Sequence, residues 1–214
     1  MDLLTYLALF VGASVFLAIE PGPGFVTLVG ETARRGPLAA AFAALGMALG
    51  ALPAVILVAV GLDALIAALP GALSLLKAAG AVYLVWQAAQ LLRRPADTQR
   101  PAPADTAEGA GRPTRNSLRA GALLVLLNPR TPALYAAFLP LFLRSDSGIP
   151  AHAQLLALGL GVIAVFLAVD LVFVAVASRI GARLADNATV GRVMRYLGAS
   201  LLVLFGVRLL TSRD

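Results

Sequence analysis

The chain has no cysteine and a single histidine, His152. Disulfide scaffolds, thiol relays and Cys/His metal centres are thereby excluded, and no metal is expected. Charge is also scarce. Only 13% of the 214 residues are Asp, Glu, Lys or Arg, against about 25% in a soluble globule. Lysine is nearly absent: Lys77 stands alone among 17 basic residues, which reads as base composition and not as chemistry. No Gly-x-x-x-x-Gly-Lys loop occurs, so direct ATP drive is not expected. No Gly-x-Ser-x-Gly elbow occurs either. What the chain does have is apolar surface. Sixty per cent of its residues are hydrophobic and its mean hydropathy is +0.88. That composition describes an integral membrane protein of one domain, residues 1–214.

Crossing ~30 Å of hydrocarbon takes ~20 apolar residues. Six stretches qualify: Leu3–Ile19, resuming over Phe25–Thr32; Leu38–Leu62; Pro70–Leu92; Leu118–Leu143; Ala153–Ala177; and Val193–Leu210. The arginines follow the loops. Arg34 and Arg35, then Arg93 to Arg119, then Arg179 to Arg195 all fall on one side. The positive-inside rule makes that side cytoplasmic and puts both termini outside the cytoplasm. The formal charge of +6 therefore reads as membrane orientation, with lipid as the partner and no nucleic acid. Met1-Asp2 lacks a positive n-region, so no cleaved signal peptide is expected. The stretch 93–117, rich in Pro, Ala, Gly and Asp, reads as a cytoplasmic linker.

Two of the six stretches are broken by proline at matching places. The first break is Glu20-Pro21-Gly22-Pro23-Gly24, the second Asn128-Pro129-Arg130-Thr131-Pro132. Proline removes a backbone donor and clashes with the preceding turn. In hydrocarbon the freed carbonyls find no water, so such breaks persist only where protein or an aqueous cavity satisfies them. Spans three and six also share a pattern: Leu76-Lys77-Ala78-Ala79-Gly80-Ala81 against Met194-Arg195-Tyr196-Leu197-Gly198-Ala199. Each half, 1–92 and 118–214, holds three spans. Two halves of odd span count in one chain lie in opposite senses, so the expected fold is all-α: six transmembrane helices as two inverted three-helix repeats, with helices one and four broken.

At these residues the chain resembles the LysE/RhtB family of amino-acid exporters. The motifs that carry the resemblance are Pro21-Gly22-Pro23; Gly36 followed by Gly46-Met47-Ala48-Leu49-Gly50; Lys77, Gly80, Ala81, Tyr83 and Leu84; and Gly121, Leu126-Leu127-Asn128-Pro129-Arg130 and Leu139-Pro140. The chain departs from the family pattern at Glu20 and Gly24, and at Arg130, where lysine is usual. The resemblance implies an amino-acid exporter of the bacterial inner membrane that antiports protons, with no cofactor.

The candidate site gathers Glu20, Pro21, Gly22, Pro23, Asn128, Pro129 and Asp170, with Lys77, Tyr83 and Arg130 as secondary candidates. Intramembrane acids usually face a cavity or a partner. Glu20 would bind a substrate ammonium or a proton; the alternative is an interfacial carboxylate paired with Arg34 or Arg35. Asp170 would accept a proton along the path; the alternative is a structural ion pair, with Arg130 one partner. Half-helix N-termini attract carboxylates and C-termini attract cations, which suits a zwitterionic amino acid at Pro21–Gly24 and Asn128-Pro129. A hinge without a ligand is the competing reading. Lys77 either snorkels or meets a carboxylate, and Tyr83 either lines the cavity or packs. The scarcity of charge points to a neutral substrate. Gly46 and Gly50 read as close helix packing, and Pro53 as a kink in span two. A small six-helix bundle leaves room for a homodimer. An intramembrane enzyme and a non-transporting scaffold are the alternative functions.

Overall fold

The computed structural model describes residues 2–19, 22–68, 113–144 and 147–180, together with isolated helical positions between 75 and 89. Most of span three, all of span six, the 93–112 part of the linker, and Glu20, Pro21, Lys77 and Tyr83 lie outside the described residues.

Every regular element among the described residues is helical. In chain order these are α1 (Leu3–Ala18), α2 (Pro23–Arg35), α3 (Pro37–Ala68), α4 (Pro113–Leu126), α5 (Arg130–Phe138), a 3-10 turn (Leu139–Phe142) and α6 (Ala151–Ile180). α3 has 32 residues and α6 has 30; at ~1.5 Å per residue each exceeds the ~30 Å hydrocarbon layer. Both are apolar enough to cross a membrane, and the bent pairs α1/α2 and α4/α5 raise the candidate spans to four.

Local chemistry sets the ends. Asp2 caps α1: its carboxylate accepts from the Thr5 hydroxyl at 2.6 Å and the Thr5 amide at 3.3 Å. Those bonds hold the Asp2 carboxyl below its usual range. Pro23 sits in the first turn of α2, where its missing N–H leaves no gap in the ladder. Gly36 closes α2 with φ +86°, a conformation that favours glycine, and Pro37 starts α3 at once. α3 continues through Pro53 to Ala68, past the expected end at Leu62. α4 begins at Pro113, inside the stretch expected to be linker; proline is well placed in a first helical turn.

The breaks bend the chain by similar angles, 64° between α1 and α2 and 62° between α4 and α5. α3 packs against α4 at backbone contact. A Cβ at Gly46 would collide with the Leu118 carbonyl, one at Gly50 with the Ala122 carbonyl, and one at Gly121 with the Ala43 carbonyl. Hydrocarbon gives helices no hydrophobic reason to associate, so this close approach is what holds the pair together.

The core has two parts. One joins Phe10, Leu17, Val55, Phe138, Phe142, Leu155 and Val162. Within it Phe10 meets Phe142 edge-on at 5.2 Å, and the Tyr6 hydroxyl donates to the Phe142 carbonyl at 2.6 Å. These contacts fix α1 to the far end of the α5 segment. Gln154 secures the turn into α6, accepting from the Arg144 amide at 3.0 Å and donating to the Ile149 carbonyl at 2.8 Å. The other core part sets Leu28 of α2 among Ala40, Ala43, Ala44 and Met47 of α3 and Val174 of α6.

Candidate functional site

The two breaks face one cavity. Its volume is about 170 Å³. Gly22, Gly24 and Phe25 line it from the first break, and Asn128, Arg130 and Thr131 from the second. Met47, Ala48 and Ala51 of α3 form one wall; Ile163, Phe166, Leu167 and Asp170 of α6 form another. Of the candidates named from the sequence, Gly22, Asn128, Arg130 and Asp170 meet here. Pro23 and Pro129 do not line the space; they shape the turns that border it.

The first break ends α1 at Ala18, with the Ile19 amide bonded back to the Val15 carbonyl at 3.0 Å. α2 then starts from extended Gly22, which offers no side-chain cap. The first amides of a helix have no partner within it. At α2 they include those of Gly24 and Phe25, two residues that line the cavity. A helix start of this kind favours a negative group through its amides and its dipole.

The second break reroutes the ladder. The Asn128 amide bonds the Val125 carbonyl at 3.2 Å, and the Thr131 amide bonds the Asn128 carbonyl at 3.1 Å. The Arg130 amide goes to Asn128 Oδ1 at 3.0 Å. The carbonyls of Leu124, Leu126 and Leu127 thus lose the i+4 amides that an unbroken helix would supply. The Asn128 carbonyl keeps a partner in Thr131 because the turn tightens after Pro129. Asn128 Oδ1 supports the turn before α5, and Asn128→Ala is expected to lose about 1 kcal/mol of stability, the net worth of one side-chain hydrogen bond. Thermal unfolding in detergent micelles checks this.

Asp170 is half-buried on α6 and reaches the cavity. Among the described residues it makes no ion pair and no hydrogen bond, so its structural alternative has no partner there. Arg34 and Arg35, considered as partners for Glu20, pair with Glu31 at 3.9 Å and 3.3 Å. Glu31 itself was not singled out from the sequence. It is 6% exposed and also accepts from the Ser117 hydroxyl at 2.7 Å. Its one sequence signal was local: a carboxylate three and four residues ahead of two arginines, the spacing of a helix-surface pair.

Bent helices of membrane-crossing character that open on a shared, largely apolar cavity with a few polar groups are the architecture of a membrane translocator. The LysE type translocator family model matches residues 15–213, and the chain belongs to that family. Its relatives include the homoserine/homoserine lactone efflux protein of Salmonella typhi, 30% identical over 94% of this chain and 93% of that protein. An uncharacterised membrane protein of Synechocystis is 29% identical over 96% and 95% of the two chains, and one of Vibrio cholerae is 27% identical over the full length of both. No solved structure matches the chain.

Proposed function

We propose that this protein is a secondary exporter of a small neutral amino acid or a close derivative, driven by proton antiport across the bacterial inner membrane. The observation that carries the reading is the convergence of both proline breaks and Asp170 on one cavity. A zwitterion fits its electrostatics. The carboxylate would sit at the uncapped start of α2 and near Arg130, and the ammonium near Asp170 and the carbonyls freed at the end of α4. Pro23 and Pro129 border the same two breaks, and Glu20 and Pro21 directly precede Gly22 in the sequence. The rest of the lining is largely apolar, with Met47, Ile163 and Phe166 offering no charge to a substrate side chain. Homoserine, one of the two compounds named for the Salmonella efflux relatives, is a neutral zwitterion of this kind; its lactone keeps the amine but has no free carboxylate.

In this mechanism the halves 1–92 and 118–214 are inverted repeats that rock about the cavity, exposing it to each side in turn. The similar bends of 64° and 62° support that symmetry. The arginine distribution supports termini outside the cytoplasm. No catalytic step and no cofactor is needed, since the proton gradient supplies the work; a homodimer is compatible with it. Counterflow in proteoliposomes tests the function. Labelled neutral amino acids, homoserine among them, and homoserine lactone as a carboxylate-free comparison make up the panel; the zwitterions should exchange through the protein, faster with an imposed pH gradient. Absence of exchange across the panel would overturn the reading.

A further inference from the structure

α2 is a short rod between two joints. At one end the chain is extended at Gly22; at the other Gly36 takes φ +86° before α3 begins. α3 and α4 are different, because Gly46, Gly50 and Gly121 bring their backbones into contact and make them one rigid unit. The hydrogen bond from Ser117 to Glu31, at 2.7 Å, ties the rod to that unit. Ser117 is wholly buried and Glu31 is 6% exposed. Arg35 adds a contact to Glu31 at 3.3 Å and Arg34 one at 3.9 Å, and both arginines are about half exposed. The node lies two turns along α2 from the amides that border the cavity.

We propose that Glu31 is a positioning residue for transport: held by Ser117 and the two arginines, it latches α2 onto α4, and its release opens the cavity to the face that carries Arg34 and Arg35. The proposal rests on the alternating-access reading above. Its physical basis is the near balance of an ion pair whose carboxylate is buried and whose arginines are half exposed. Attraction in the low-dielectric site is offset by the loss of hydration. A carboxylate at the protein–water boundary can exchange those partners for water with little net change, as a two-state contact requires. Closed, the latch holds the Gly24 and Phe25 amides against the cavity; open, α2 swings on Gly22 and Gly36 while α3 and α4 stay together.

The absence of native cysteine gives a direct test. Met47→Cys places a single thiol in the cavity wall. Its reaction with a charged, impermeant maleimide is followed in vesicles of each orientation. In that background Glu31→Gln and Ser117→Ala should speed labelling from the Arg34/Arg35 face by about tenfold, the effect of losing one charge-assisted hydrogen bond from one of two states. Labelling from the opposite face should not rise. Ser117→Thr keeps the hydroxyl and should label like the parent. Unchanged labelling in both disrupting variants, or an equal rise from both faces, would overturn the latch. The thiol readout needs no substrate, so failure of the transport reading appears in counterflow and failure of the latch appears here.

Discussion

Asp170→Asn protein is expected to insert and fold at least as well as the parent while losing export by about 10–100-fold, the range set by one charge-assisted hydrogen bond of ~1.5–3 kcal/mol. The opposed signs follow from where the residue sits. A carboxylate at the middle of a spanning helix costs ~2.5–3.5 kcal/mol on insertion scales. A structural ion pair would offset that cost, and breaking such a pair destabilises the fold. Asp170 has no such partner among the described residues and reaches the cavity. Neutralising it therefore removes a cost without removing a support. If its task is to hold the substrate ammonium, exchange weakens through a higher KM. If its task is to carry the proton, exchange persists and only accumulation against a gradient disappears. Proteoliposome counterflow run beside gradient-driven uptake separates the two, and thermal unfolding supplies the stability half. Wild-type export by Asp170→Asn would remove this residue from the mechanism.

The parts of this molecule that could be read from the sequence are those with local causes. Pro23 and Pro129 stand at helix boundaries, a local preference that Pro53 inside α3 shows can be overridden, and apolar runs of membrane-spanning length identify α3 and α6 without knowledge of their neighbours. Gly46 and Gly50 announce a close approach, but nothing in their spacing names the Leu118 and Ala122 carbonyls that they meet. Gly121 stood in the family pattern with no packing role attached, and it proves to be the matching recess on α4. Glu31 shows the limit most clearly. Read locally it is a helix-surface carboxylate beside two arginines. Only the docking of α4, distant in the chain, supplies Ser117 and removes the water. Asn128 is an intermediate case: its place at a break was legible, whereas its hydrogen bond to the Arg130 amide depends on the turn that Pro129 imposes.

The second large effect concerns glycines that look alike in sequence and differ in surroundings. Gly46→Ala is expected to lower stability by about 1–3 kcal/mol, the range for overpacking, and Gly46→Ala combined with Gly121→Ala by more, to the point of poor recovery of folded protein. At Gly46 and Gly121 the obstacle to a new Cβ is a backbone carbonyl on the facing helix. A side chain could rotate away; a backbone carbonyl moves only if the helices part. Parting them also costs the dispersion contacts on which association in lipid depends. Gly12→Ala is the internal control. It too lies within a helix, α1, but nothing comes within 4 Å of its added Cβ. There only helix propensity changes, in favour of alanine by up to about 1 kcal/mol. Thermal unfolding and size-exclusion profiles of the three proteins should rank Gly12→Ala at or above the parent, Gly46→Ala below it, and the double variant lowest. Equal behaviour of Gly12→Ala and Gly46→Ala would mean that α3 and α4 do not meet along their backbones, and the rigid unit on which the latch turns would be lost with that contact.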